Sequence, residues 1–150
     1  MNTPAEHTGR FEVRITSDSH FGWIRTRLAL ERTLMAWIRT GLALIGFGFT
    51  IVQFFQRLND MQGVAPAMRP QASRDMGLAL IAAGLLALFI SGWQYRRVVK
   101  YLWSNEFKPL AGMGSMDMHP VYTQSPLLVV LIAVILIGLF AFFAVLLRMV

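Results

Sequence analysis

Three long apolar runs alternate with polar segments along the chain. They cover residues 34–55, 76–93 and 126–147. Each is close to the roughly 20 apolar residues that cross about 30 Å of hydrocarbon, and helices in water-soluble cores are rarely so uniformly apolar. The pattern predicts an all-α membrane protein with three transmembrane helices per subunit.

The polar segments predict where these helices begin and end. Asp18 or Ser19 is a candidate cap for a helix that passes through Trp23 along the membrane surface and into the first span. Basic and aromatic residues after the second run extend that helix to about residue 103. We therefore expect a flexible segment at residues 1–17 and one three-helix transmembrane domain over residues 18–150.

Composition and charge agree with membrane insertion and disfavour nucleic acid as a partner. Hydrophobic residues make up 55% of the chain and charged residues 15%, which exceeds what a small water-soluble core hides. The net charge is +6, but the basic residues lie mainly at the ends of the apolar runs, next to lipid headgroups. The segment before the first run and the loop before the third carry nine basic residues, against four on the other side. The positive-inside rule therefore places the amino terminus in the cytoplasm and the carboxyl terminus outside.

One side of the first helix carries only small and polar residues. Steps of four and three along the sequence bring to this side Arg25, Ala29, Arg32, Ala36, Arg39, Ala43, Gly46, Thr50, Gln53 and Arg57. Lipid alone favours large apolar residues on every side, so this side is expected to contact protein or water. Ala79, Ala83, Ala87 and Ser91 form a second row of small residues, on the second helix, and are expected to pack against a neighbouring helix.

Arg25, Arg32 and Arg39 follow one another at intervals of seven residues. An arginine in the membrane keeps its charge, so it needs an acid, a carbonyl, water or an anionic ligand. Glu31 is one acid within reach, spaced for contact with Arg27. In the simpler alternative, these arginines only reach back to the headgroups, since Arg39 is five residues beyond Leu34. That alternative does not account for the small and polar side continuing across the whole span.

Three functions remain open. In the first, the protein is a channel or transporter subunit, and the first helices of a homo-oligomeric ring, such as a pentamer, line an arginine-ringed path for an anionic solute. The site would then comprise Arg25, Glu31, Arg32, Arg39, Ala43, Gly46, Thr50 and Gln53. In the second, the protein is a non-conducting scaffold or accessory subunit that packs through the same side. In the third and weakest, Met113, Met116, Met118 and His119 handle copper.

No catalytic constellation is evident in the sequence. No glycine-rich phosphate loop is present. Cysteine is absent, so disulfides and thiolate metal sites do not arise. We expect a protein that is not an enzyme and that has no cofactor and no resident metal.

The segment LERTLMAWIRTGLALIG, residues 30–46, resembles the signature of the YidH family of small bacterial inner-membrane proteins, classed as domain of unknown function 202. Three spans of matching length and the stretch Pro120–Thr123 extend the resemblance from about Phe21 to the end. The resemblance implies a multi-pass protein of the bacterial inner membrane. The same domain type is similar to the transmembrane part of the vacuolar transporter chaperone complex, which makes polyphosphate and passes it through the membrane.

That second resemblance implies first helices from several subunits around a basic conduit, with Glu31, Arg32 and Trp37 matching the motif of the complex. This chain lacks the polymerase and phosphate-sensing domains of that complex. Polyphosphate synthesis is therefore not implied.

Overall fold

The structure is a computed structural model that describes residues 14–60, 70–105, 107–111 and 126–147. These residues form α1 (Ser17–Asp60), α2 (Pro70–Leu102), a short 3-10 helix (Lys108–Ala111) and α3 (Pro126–Leu147). The three α-helices are each long and apolar enough to cross a membrane. The described part of the chain is thus an all-helical, multi-pass membrane protein, as the apolar runs predicted.

α1 begins with a reciprocal cap. The backbone N–H of Ser19 donates to Oγ1 of Thr16 at 3.2 Å, and the backbone N–H of Thr16 donates to Oγ of Ser19 at 2.9 Å. Two N–H groups that lack helical partners are satisfied in this way, and Asp18 places a negative charge in the first turn. The predicted cap, Asp18 or Ser19, is therefore two or three residues too late in the sequence. Thr16 is the capping residue, and Ser19 lies inside the helix and accepts the return hydrogen bond from the backbone N–H of Thr16.

The helices differ in length. α3 has 22 residues, or about 33 Å, which matches the hydrocarbon thickness. α1 has 44 residues, or about 66 Å, and runs without interruption from the polar amino-terminal part into the span. The surface placement of its first turns stays a prediction. α2, with 33 residues, also extends past the span, and Trp23 of α1 packs edge-on against Trp103 just beyond α2, with ring centroids 5.3 Å apart.

α1 and α2 form an antiparallel pair with a seven-residue repeat. The residues of α1 that are buried in the pair follow steps of four and three: Leu34, Ile38, Gly41, Ile45, Gly48 and Val52. The buried residues of α2 follow the same spacing: Gly77, Ile81, Gly84, Leu88, Ser91 and Tyr95. A strict heptad of this kind is typical of left-handed coiled-coil packing.

Glycines bring the two backbones close together. A Cβ atom on Gly48 would lie 2.6 Å from the carbonyl oxygen of Gly77, and one on Gly84 would lie 2.8 Å from the carbonyl oxygen of Gly41. No larger residue fits at either point unless the helices separate, because the atoms it would meet belong to backbone. Small residues at helix contacts allow this approach inside a bilayer, where dispersion forces replace the hydrophobic effect as the source of association.

α3 packs across the pair and leaves most of its surface exposed. Gly138 lies against Ile45 of α1 and Leu85 of α2, and Leu131, Val134 and Val145 are buried. The exposed side chains are large and apolar, with Phe140 at 77% exposure. Such a surface suits lipid acyl chains.

Candidate functional site

The small and polar residues of α1 form one exposed surface, which we call the polar stripe. It comprises Arg25, Ala29, Arg32, Ala36, Arg39, Ala43, Gly46, Thr50, Gln53 and Arg57, all exposed except the half-buried Gln53. The stripe lies on the side of α1 away from the buried seam, because the seam residue Leu34 is two positions from Arg32, or about 200° around the helix. The described parts of α2 and α3 leave it uncovered.

Arg39 lies at membrane depth. The contact between Gly138 and Ile45 aligns α3 with α1, and Arg39 precedes Ile45 by six residues. It is therefore level with the second turn of α3, roughly 9 Å inside the uninterrupted apolar run that starts at Pro126. Arg32, seven residues earlier, lies just outside the level at which that run begins. The two arginines thus lie on either side of one membrane boundary.

Three arginines of the polar stripe have no protein partner within the described ranges. Arg25, Arg32 and Arg39 make no hydrogen bond or ion pair there. The expected contact of Glu31 is present: Nε of Arg27 is 3.7 Å from Oε1 of Glu31. Glu31 therefore balances an arginine beside the stripe, and the positive charge on the stripe is left to a ligand, to lipid headgroups or to another chain.

Two open grooves flank the stripe and share Arg32 and Ala36 as lining residues. One has a volume of about 500 Å³ and is lined also by Glu31, Met35, Arg39 and Leu127 of α3, among others. The other, of about 510 Å³, is lined also by Thr33, Trp37 and Thr40. Both arginines near the membrane boundary, Arg32 and Arg39, thus border open grooves.

The hydroxyl groups on and beside the stripe donate to the backbone of their own helix. Thr33 donates to the carbonyl of Ala29 at 3.0 Å, Thr40 to that of Ala36 at 3.1 Å, and Thr50 to that of Gly46 at 2.8 Å. The donors are thus satisfied without water, while the oxygen lone pairs remain available. A surface of this kind tolerates either a dry helix contact or a wet path.

The predicted packing row on α2 is divided between two environments. Ala79 and Ala83 are exposed, Ala87 is half-buried, and Ser91 is buried with its hydroxyl donating to the carbonyl of Leu88 at 3.0 Å. Only the Ser91 end faces α1. The exposed end is open to a neighbouring chain, and that contact stays a prediction.

The glycine contacts are the feature that the sequence interpretation missed. Gly41 and Gly48 on α1, and Gly77 and Gly84 on α2, are each seven residues apart, and this spacing was readable from the sequence. The seven-residue interval also recurs in Thr26, Thr33 and Thr40 and in the arginines. The heptad spacing along the whole of α1 distinguishes its buried side from its exposed side.

The proposed copper ligands, Met113 to His119, lie outside the described residues. Within those residues, no group of three or more histidine, aspartate or glutamate side chains is placed to hold a metal ion. The copper hypothesis therefore gains no support from the described helices.

Comparison with protein families gives one match. The family model described as a domain of unknown function (DUF202) matches residues 25–101, just over half of the chain. The matched region contains the polar stripe, the first loop and nearly all of α2. A comparison with curated proteins and a comparison with solved structures each found no match.

Proposed function

The chain belongs to the DUF202 family, and from that premise we propose that it is a subunit of a homo-oligomeric channel or transporter for an anionic solute. In this assembly, the polar stripes of several copies face a common axis. Arg25, Arg32 and Arg39 attract the solute at the cytoplasmic mouth, and Ala43, Gly46, Thr50 and Gln53 line the continuation through the bilayer.

One observation carries the proposal: the exposed position of Arg39 at membrane depth without a protein partner in the described ranges. An arginine there is costly in contact with lipid and favourable beside water or an anion. The small residues after it keep the surface free of bulky side chains, and a Cβ atom added to Gly46 would meet no neighbouring atom within 4 Å. A ring of such surfaces would enclose space instead of filling it.

A non-conducting scaffold is the alternative, and the threonine geometry favours it. Because Thr33, Thr40 and Thr50 already donate to backbone carbonyls, the stripe does not need water. A helix of another membrane protein would then pack against Ala36 and Ala43, and the arginines would meet acids of that partner.

The assembly step can be tested by cross-linking, because the natural chain has no cysteine. We expect Gly46→Cys to form disulfide-linked dimers on mild oxidation in membranes, since copies of this position meet near the axis. The matched control is Phe47→Cys, one residue later and 70% exposed, which points about 100° away. Equal cross-linking at the two positions, or none at position 46, would contradict the axial placement of the stripe.

The conduction step is tested by flux of chloride and of inorganic phosphate into proteoliposomes. We expect Arg39→Lys to keep much of the flux, because a path uses the positive charge, and Arg39→Glu to abolish or invert anion selectivity. In the scaffold, the guanidinium geometry matters, so both variants would disrupt assembly alike. If intact wild-type oligomers pass neither anion, the channel hypothesis is wrong and the scaffold hypothesis takes its place.

A further inference from the structure

A second groove lies on the other side of the molecule, between α2 and α3. It has a volume of about 250 Å³. Its floor consists of Leu88, Gly92 and Leu131, which are all buried, and its walls include the exposed side chains of Phe89 and Ile132. All of these residues lack charged or hydrogen-bonding side chains, so the interior of the groove suits a hydrocarbon chain.

The groove ends at a positive charge. Arg96 lines it one helical turn beyond Gly92, and Trp93 stands between them on the same side of α2. Arg96 is exposed and makes no hydrogen bond or ion pair within the described ranges. The groove therefore has an apolar body and a cationic mouth.

The mouth lies at the level of the headgroups. A Cβ atom on Gly92 would lie 2.7 Å from Cδ2 of Leu131, which sets the register of α2 against α3. Four residues further along, Arg96 is level with the first turn of α3, where the continuous apolar run begins. The groove runs from this boundary into the hydrocarbon region by eight residues of α2, roughly 12 Å.

A second cation and an aromatic ring reinforce this boundary. The guanidinium carbon of Arg97 lies 5.6 Å from the centre of the Trp93 ring, and Lys100 is exposed one turn beyond Arg96. Tryptophan next to basic residues is typical of the membrane–water interface. Arg96 and Arg97 provide charge complementary to a phosphate group at the depth where phospholipid phosphates lie, whereas Lys100 does not line the groove.

We propose that this groove binds an anionic phospholipid, with its phosphate on Arg96 and part of one acyl chain along Gly92 and Leu131. The volume is below the roughly 300–1,000 Å³ of pockets that enclose whole ligands, so the remainder of the lipid stays in the bilayer. The site is separate from the polar stripe and does not depend on conduction. Gly92 lets Leu131 pack closely against α2 at the floor of the groove, and Arg96 selects for negative charge.

Quenching of tryptophan fluorescence by brominated lipid tests the proposal on the full-length chain in phosphatidylcholine vesicles. The signal assigned to Trp93 is the difference between wild type and Trp93→Phe. We expect brominated phosphatidylglycerol, added as a minor component, to quench this signal about fivefold more effectively than brominated phosphatidylcholine, as one specific arginine contact predicts. Arg96→Gln should remove that preference.

Lys100→Gln is the matched control, since it removes one exposed charge from the same helix without touching the groove. It should keep most of the preference for phosphatidylglycerol. Equal losses in Arg96→Gln and Lys100→Gln would show general attraction to a basic surface and overturn the site. Absence of quenching by either lipid would mean that protein fills the groove, which also overturns it. Circular dichroism of each variant confirms that the helices are retained.

Discussion

Two glycines of α1, Gly46 and Gly48, are two residues apart and lie on opposite sides of the helix. Gly48 is buried against the backbone of α2, where an added Cβ would meet the carbonyl oxygen of Gly77 at 2.6 Å. Gly46 lies on the polar stripe and has open space on its exposed side. The comparison shows that the small residues of α1 serve two interfaces. The interface at Gly48 is occupied by α2 of the same chain, whereas the surface at Gly46 is available to another molecule.

The largest effect is expected at the filled interface. Gly48→Leu should lower the free energy of unfolding by more than about 3 kcal/mol, because the new side chain meets backbone that cannot move aside without separating α1 from α2. The measurement is SDS titration in mixed micelles, followed by circular dichroism. Gly46→Leu is the control and should leave the unfolding of the monomeric chain unchanged. Similar losses in the two variants would remove the distinction between the two sides of α1.

A smaller effect is expected where α1 extends past the membrane span. Trp23 is buried against Trp103, and its indole Nε1 donates to the carbonyl of Leu102 at 3.3 Å. Trp23→Ala should therefore lower the free energy of local unfolding by about 3 kcal/mol, which is at the lower end of the range for truncating a buried aromatic residue to alanine. Hydrogen exchange should report it as faster exchange of the amide of Leu110, which packs in the same cluster.

Trp37 provides the comparison for that variant. It is 44% exposed and lines the groove beside the polar stripe. Trp37→Ala should leave exchange at Leu110 unchanged. It should lower the free energy of unfolding by about 1 kcal/mol, because much of the Trp37 side chain is exposed in the folded chain. Faster exchange at Leu110 in both variants would mean that the cluster at the end of α2 depends on the whole of α1 and not on Trp23.

The smallest effect is expected at the ion pair beside the stripe. Arg27 and Glu31 are 3.7 Å apart, and their side chains are 35% and 26% exposed, so the pair is well screened by solvent. Glu31→Gln should change the free energy of unfolding by about 0.5 kcal/mol or less. The same SDS titration measures it. A loss several times larger would show that Glu31 is bound to a further cation, for example an arginine of a second copy.

Hydropathy predicted the third span to the residue, as Pro126–Leu147, because every side chain in that run is apolar and a proline opens it. Hydropathy placed the start of the first span at residue 34, and the capping signal at Asp18 or Ser19 predicted the start of the helix itself to within three residues of the observed cap, Thr16. The first turns of α1 pack against the end of α2 through Trp23. A window of hydropathy along one chain does not detect such a contact between distant segments.

The polar stripe was also predicted from the sequence, since a seven-residue interval of arginines and small residues defines one side of any helix that contains it. The contact expected for the row from Ala79 to Ser91 stays a prediction. The close approaches inside the chain, between Gly77 and Gly48 and between Gly84 and Gly41, were not predicted. Small residues occur on several sides of α2, and their spacing alone does not identify the side that is covered.

The sequence by itself determined that the chain crosses the membrane in three helices and that α1 carries a line of positive charge into the bilayer. Both properties depend on the solvation of one helix at a time, because backbone polar groups in lipid must be satisfied within each segment. Only the tertiary structure decided that this line stays exposed. Which side of α1 is buried depends on the register of two helices against each other, and that register is set where Gly48 meets Gly77 and Gly41 meets Gly84.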